Sequence, residues 1–249
     1  ADKRAKRFGL LGAMMGLGFI VGPVMGGLLG AINLKLPFWV AGGLAMLNLA
    51  YGYFVLPESL PTDQRKPMRW AAANPVKAFR DLTQLKGVGA LVGVVVFSGL
   101  AQFILYTSWV LYNTFKFGWG PLENGWSLAV VGVVSVLVQG VLMGRLIKRF
   151  GPQRLAIMGL ISSVMSYTLW GAASEGWMMY AVIAFNLLGG TVAASVQSLI
   201  SSAADSKSQG QTLGSVSALN GLMAVIAPLI ATPLLATVSH LPQGDWRIG

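Results

Sequence analysis

The stretch Gly18-Phe19-Ile20-Val21-Gly22-Pro23-Val24-Met25-Gly26-Gly27 lies inside an apolar run from about Leu10 to Ile32. That run is long enough to cross a bilayer as a helix. Gly18, Gly22, Gly26 and Gly30 fall four apart, so on a helix they form one smooth ridge that a second helix can approach closely. Pro23 removes an amide donor and crowds the carbonyl of Phe19, which predicts a kink. A close-packed, bent membrane helix suits a moving membrane protein and is a costly choice for a static anchor.

The composition agrees with a membrane environment. Of 249 residues, 55% are hydrophobic and only 10% charged, against about 25% charged in a typical soluble domain. The mean hydropathy is +0.66, so a polytopic membrane protein is expected. The absence of cysteine excludes a disulfide framework and a thiolate metal site. The single histidine, His240, has no partner for metal chemistry, and no cofactor is expected. The chain opens on Ala-Asp-Lys-Arg-Ala-Lys-Arg, with neither an initiator methionine nor a cleavable signal peptide, and reads as a fragment.

Seven apolar stretches can be drawn, over 9–31, 36–56, 88–112, 124–147, 155–173, 177–203 and 212–238. Basic residues sort by side. Fifteen of the eighteen lie before the first stretch or in alternate loops after it, in residues 3–7, 65–86, 145–154 and at Lys207. Only Lys35, Lys116 and Arg247 fall on the other side. The positive-inside rule puts the fifteen in the cytoplasm. The chain then starts inside and ends outside. The net charge of +10 is a topology signal, and nucleic acid is not an expected partner. Within the polar segment 57–87, Asn74-Pro75 can start a helix. Val76, Phe79, Leu82 and Leu85 then recur every three residues. This is either an amphipathic helix on the inner leaflet or a plain tether.

The seventh stretch repeats the first. Gly9, Ala13, Gly16, Gly22, Pro23 and Gly26 align with Gly214, Ala218, Gly221, Ala227, Pro228 and Ala231 at a constant offset. Small residues match small residues, and the kinking prolines coincide. The two stretches have the same orientation, so the repeat unit is six spans and the repeats are parallel. The expected whole has twelve spans. Residues 1–56 would be the last two helices of the first half, 57–87 the cytoplasmic linker, and 88–249 five of the six helices of the second half.

This plan and these motifs resemble the major facilitator superfamily. Gly18-x3-Gly22-Pro23-x2-Gly26-Gly27 matches the antiporter motif of its fifth helix. Lys6-Arg7-Phe8-Gly9, Pro57-Glu58-Ser59, Gln139-Gly140 and Gln209-Gly210-Gln211 are similar to the tetracycline-resistance branch of proton-coupled drug efflux pumps. The resemblance implies an all-α fold of twelve helices in two parallel six-helix halves, with helices five to eleven present. It implies alternating access in the cell inner membrane, with the proton gradient as energy source, and a monomer when full length. In that reading Gly18, Gly22, Pro23, Gly26 and Gly27 are packing and hinge residues, with Ala227, Pro228 and Ala231 as their counterpart. Gly144, Arg145, Arg149 and Gly151 match the family's cytoplasmic loop motif, but Lys148 stands where that motif is acidic. Positive-inside anchoring explains the same cations.

Proton coupling needs a titratable group within the membrane, and none of the eight acidic residues falls mid-span. Polar and aromatic side chains within the spans remain. Gln102, Tyr106, Trp109 and Asn113 recur at three- and four-residue steps and form one helical stripe. Gln139, Asn186, Gln197 and Asn220 could join them around a cavity for bulky amphipathic drugs, or could cross-link helices. A seven-span receptor or photoreceptor would need a mid-span lysine or extracellular cysteines, and neither is present. A sugar or metabolite transporter of the same superfamily is the nearer alternative. No triad, metal cluster or phosphate loop supports an enzyme.

Overall fold

The computed structural model describes residues 2–55, 89–203 and 209–241, all of them helical or in helix connections. The linker 57–87, with its candidate surface helix, lies outside the described residues. So do most of the acidic residues. Helix α1 (Asp2–Ile32) and α2 (Leu36–Val55) are joined by a tight turn, in which the Lys35 amide donates to Asn33 Oδ1 at 2.9 Å. Helix α3 (Gly89–Phe117) follows. It ends where Gly118 turns into the left-handed region at φ 67° and its amide returns to the Thr114 carbonyl at 3.1 Å. Helix α4 (Pro121–Val136) starts immediately, with proline in its first turn. There the Glu123 carboxylate accepts from the Gly120 amide at 2.8 Å.

A π-helical turn, Leu137–Leu142, connects α4 to α5 (Met143–Ala172). Pro121–Ala172 forms a run of 52 residues, which as a straight rod would reach about 78 Å, more than twice the ~30 Å hydrocarbon core. It is not straight. Gly151 has φ 74° and ψ 159°, outside helical space, and Pro152 restarts the helix after it. A side chain would be strained at that φ. Helix α6 (Gly176–Phe185), the 3-10 turn Gly189–Thr191 and α7 (Val192–Ala203) come next, and α8 (Gln209–Val238) closes the described chain.

The segment 177–203, expected as one span, is bent by 50° between Gly176–Phe185 and Gly189–Ala203. Asn186 ends α6 and two glycines follow, so nothing enforces helix across the junction. The carbonyl of Leu188 accepts from the Thr191 hydroxyl at 2.7 Å, which satisfies a group that the break sets free. Among the described residues, four helical runs are long and apolar enough to cross a membrane, or five if the bent pair counts as one.

Two apolar clusters organise α3 to α8. An aliphatic one joins Val92, Val95, Ala156, Val192, Val196, Ile200, Val216 and Leu219. An aromatic one joins Trp109, Trp119, Trp170, Ala173, Met179, Val182 and Ile183. Helix α2 has no buried residue and presents Phe38, Trp39, Tyr53 and Phe54 outward, as a lipid-facing helix would.

Helix α1 packs on α4, and the contact runs antiparallel. A Cβ on Gly16 would meet Val136 Cγ2 at 2.7 Å, and one on Gly30 would meet Pro121 Cβ at 3.2 Å. Between them the backbones nearly touch. A Cβ on Gly125 would lie 2.8 Å from both Gly27 Cα and the Pro23 carbonyl oxygen. Of the expected ridge, Gly30 meets α4, while a Cβ on Gly18, Gly22 or Gly26 would meet nothing within 4 Å among the described residues. The approach follows Gly16, Pro23, Gly27 and Gly30, a row turned around the same helix. Pro23 lies inside a helix that remains continuous through it.

Candidate functional site at mid-depth

One face of α3 threads both apolar clusters. Val92 and Val95 belong to the aliphatic cluster. One turn on, Gly99 packs against α8, where its Cβ would stand 3.2 Å from Asn220 Oδ1. At the other end Trp109 is buried and donates from Nε1 to Ser127 Oγ at 3.0 Å. Its ring meets Trp170 edge-on at 5.3 Å. Gln102 and Tyr106 fall between the clusters, near the middle of a 29-residue helix, and Tyr106 is 50% exposed.

Polar groups from α5 and the α6–α7 bend meet this interval. Tyr167 donates its hydroxyl to Gln102 Oε1 at 3.3 Å, and Tyr106 follows Gln102 one helical turn along the same face of α3. A Cβ on Gly189 would lie 2.8 Å from Ser163 Oγ, which places that hydroxyl at the helix break. Next to it, Ser162 donates to Asn186 Oδ1 at 3.2 Å. The result is a polar belt between two apolar clusters, reaching from α8 through α3 and α5 to the bend. Irregular backbone and polar side chains at membrane depth persist only where protein buries them or they line a cavity.

The expected residues divide. Gln102, Tyr106, Asn186 and Asn220 belong to the belt. Trp109 and Asn113 lie on the same stripe but are buried beyond it, and both amide atoms of Asn113 lack a hydrogen-bond partner among the described residues. Gln139 sits on the π-turn and Gln197 on α7, both exposed. Tyr167, Ser162 and Ser163 were missed. Their signal is a run of hydroxyls in an apolar span, Ser162-Ser163-x2-Ser166-Tyr167, at helical spacing. Sequence alone does not separate them from hydroxyls that bond only their own helix, as Thr107, Ser108 and Thr168 do here.

The aromatic end of the site is rigid. Tyr112 donates to the Trp170 carbonyl at 3.2 Å. The Lys116 ammonium donates to Tyr112 Oη at 2.8 Å and to the Gly171 carbonyl at 3.2 Å. It also lies 5.2 Å from the Tyr112 ring centroid, a cation–π distance. These contacts tie the last turn of α3 to the end of α5. Asn124 donates to the Gly120 carbonyl at 3.0 Å, closing the start of α4.

The belt offers neutral donors, neutral acceptors and aromatic faces. Among the described residues no group of three or more His, Cys, Asp or Glu could hold a metal. Glu123 and Glu175 stand at helix starts, and His240 follows the end of α8. Arg145, Lys148 and Arg149 flank the Gly151 turn, and all three are exposed. The loop motif thus forms the corner between two helical runs.

Comparison with known proteins agrees with this architecture. The pattern described as Major Facilitator Superfamily matches residues 1–231. Tetracycline resistance protein, class C, of Escherichia coli is 36% identical over the whole chain, which covers 63% of that protein. The class D protein of Salmonella ordonez is 32% identical, again over the whole chain and 62% of its own length. The class B protein of Escherichia coli is 29% identical over 92% of the chain and 57% of its length. The chain therefore spans somewhat under two thirds of the relatives it matches. A helical membrane architecture and a match over nearly the whole sequence lead to one assignment: the chain belongs to the Major Facilitator Superfamily.

Proposed function

We propose that this chain is part of a secondary transporter that exports drug-like amphipathic small molecules in exchange for protons. The observation that carries the reading is the mid-depth polar belt between two apolar clusters, the depth at which secondary transporters bind substrate. A half-exposed tyrosine beside neutral amides and hydroxyls suits a flat, bulky ligand, which binds by area and a few polar contacts. The relatives named for tetracycline resistance make tetracycline the first substrate to try.

In this reading the Gly151 break divides the 52-residue run into two crossings, and the bent pair counts as one. That gives seven crossings. Helices α1 and α2 close the first half, and α3 to α8 belong to the second. The α1–α4 crossing is then the seam between halves, and its bare backbones suit two bodies that rock without interlocking side chains. The positive-inside count puts the start of the chain in the cytoplasm and its end outside. Coupling carboxylates would come from helices beyond this chain.

The test is resistance. The full-length protein, expressed in a bacterium lacking its own efflux pumps, should raise the inhibitory concentration of tetracycline several-fold. A protonophore should abolish the protection. Full membrane insertion with no gain in resistance to tetracycline or other amphipathic drugs would contradict the proposal.

A further inference from the structure

Tyr167 occupies a position that the export reading does not by itself assign. Its ring stacks on Trp170 at 5.8 Å with an interplanar angle of 23°. Trp170 is fixed in turn, 7% exposed, with its Nε1 donating to the Met179 carbonyl at 3.3 Å. The phenol is therefore anchored on the rigid aromatic end, and its hydroxyl reaches out to Gln102 Oε1.

A primary amide carries an acceptor on one edge and two donors on the other, and its terminal torsion is soft. Left alone, Gln102 would offer either edge to a ligand. A fixed donor facing Oε1 removes that choice and leaves the NH2 edge turned away from Tyr167. Tyr106 follows one helical turn along on the same face of α3 and is half exposed.

We infer that Tyr167 is a positioning residue of the ligand site, holding the Gln102 amide so that its NH2 and the Tyr106 hydroxyl form a donor pair. The ligand class this selects is a flat ring system with neighbouring carbonyl or enol oxygens, which accept from the pair while the ring lies against Tyr106. The inference rests on the export reading above and adds which side chain sets the polarity of the site.

Tyr167→Phe keeps the ring and its stacking and deletes only the donor. The measurement is tetracycline uptake into inverted membrane vesicles carrying the full-length protein, normalised to the amount of inserted transporter. Loss of one neutral hydrogen bond predicts a KM raised about five-fold, with the maximal rate within about two-fold of the unaltered protein. In a Gln102→Ala background, where KM is already raised, Tyr167→Phe should add nothing. An unchanged KM in the single variant, or two penalties that multiply independently, overturns the inference while export stands. Failure of the unaltered protein to take up tetracycline overturns the export reading and this inference with it.

Discussion

A valine at Gly125 should force α1 and α4 apart. A Cβ at that position would lie 2.8 Å from Gly27 Cα and from the Pro23 carbonyl oxygen, whereas ordinary contact begins at 3.4 Å. Both obstructing atoms are backbone, so no rotamer change relieves the clash. The helices would have to part by about 0.6 Å for the Cβ alone, and further for its methyl groups. Overpacking of this kind costs roughly 1–3 kcal/mol, offset by no more than about 0.5 kcal/mol from the better helix propensity of valine. Gly22→Val makes the same chemical change where a Cβ meets nothing within 4 Å, and it should be close to neutral for this contact. The assay is thermal unfolding of the full-length protein in detergent, paired with drug resistance in cells. The Gly125 variant should melt several degrees lower and confer less resistance, with Gly22→Val near the unaltered protein on both counts. Equal melting of the two variants, or a larger loss at Gly22, would refute the assignment of the packing face.

Other substitutions probe the remaining pieces. Asn113 is fully buried with both amide atoms unpaired among the described residues, so Asn113→Leu should stabilise the protein by about 1–3 kcal/mol; a lower melting temperature would show that the amide is paired in the full-length protein. Gly151→Ala places a side chain at φ 74° and should cost about 1–2 kcal/mol. Gly144→Ala, in open helix, should be neutral or slightly stabilising, and reversed melting shifts would contradict the turn at Gly151.

The gross architecture was legible because it depends on quantities a sequence carries directly. Apolar length marks the spans, whereas the stop at Gly118 and the start at Pro121 set the ends of α3 and α4 a few residues away from the 88–112 and 124–147 expected. The 50° bend was not legible in the same way. Gly189-Gly190 and Asn186 permit a break, but permission is not a signal, since the same residues occur in continuous membrane helices. Which row of α1 meets α4 was not legible for a related reason. Glycines at 18, 22, 26, 27 and 30 surround much of one helix, and only the position of α4 selects the row that is used. In the site, the α3 stripe follows from helical spacing alone. Where that face passes from buried to half-exposed depends on which neighbours cover it. Trp109 is covered by Ser127 of α4 and Trp170 of α5, whereas Gln102 and Tyr106 fall between the two clusters. Tyr167 was missed because its partner lies 65 residues away, a separation no local pattern encodes.

The polar belt as the drug site can be mapped directly. Radiolabelled tetracycline, irradiated while bound to the full-length protein, should attach covalently to peptides of α3 containing Gln102 and Tyr106 and of α5 containing Tyr167. Excess unlabelled drug should remove that labelling. Competable label absent from both helices, with binding intact, would contradict the account.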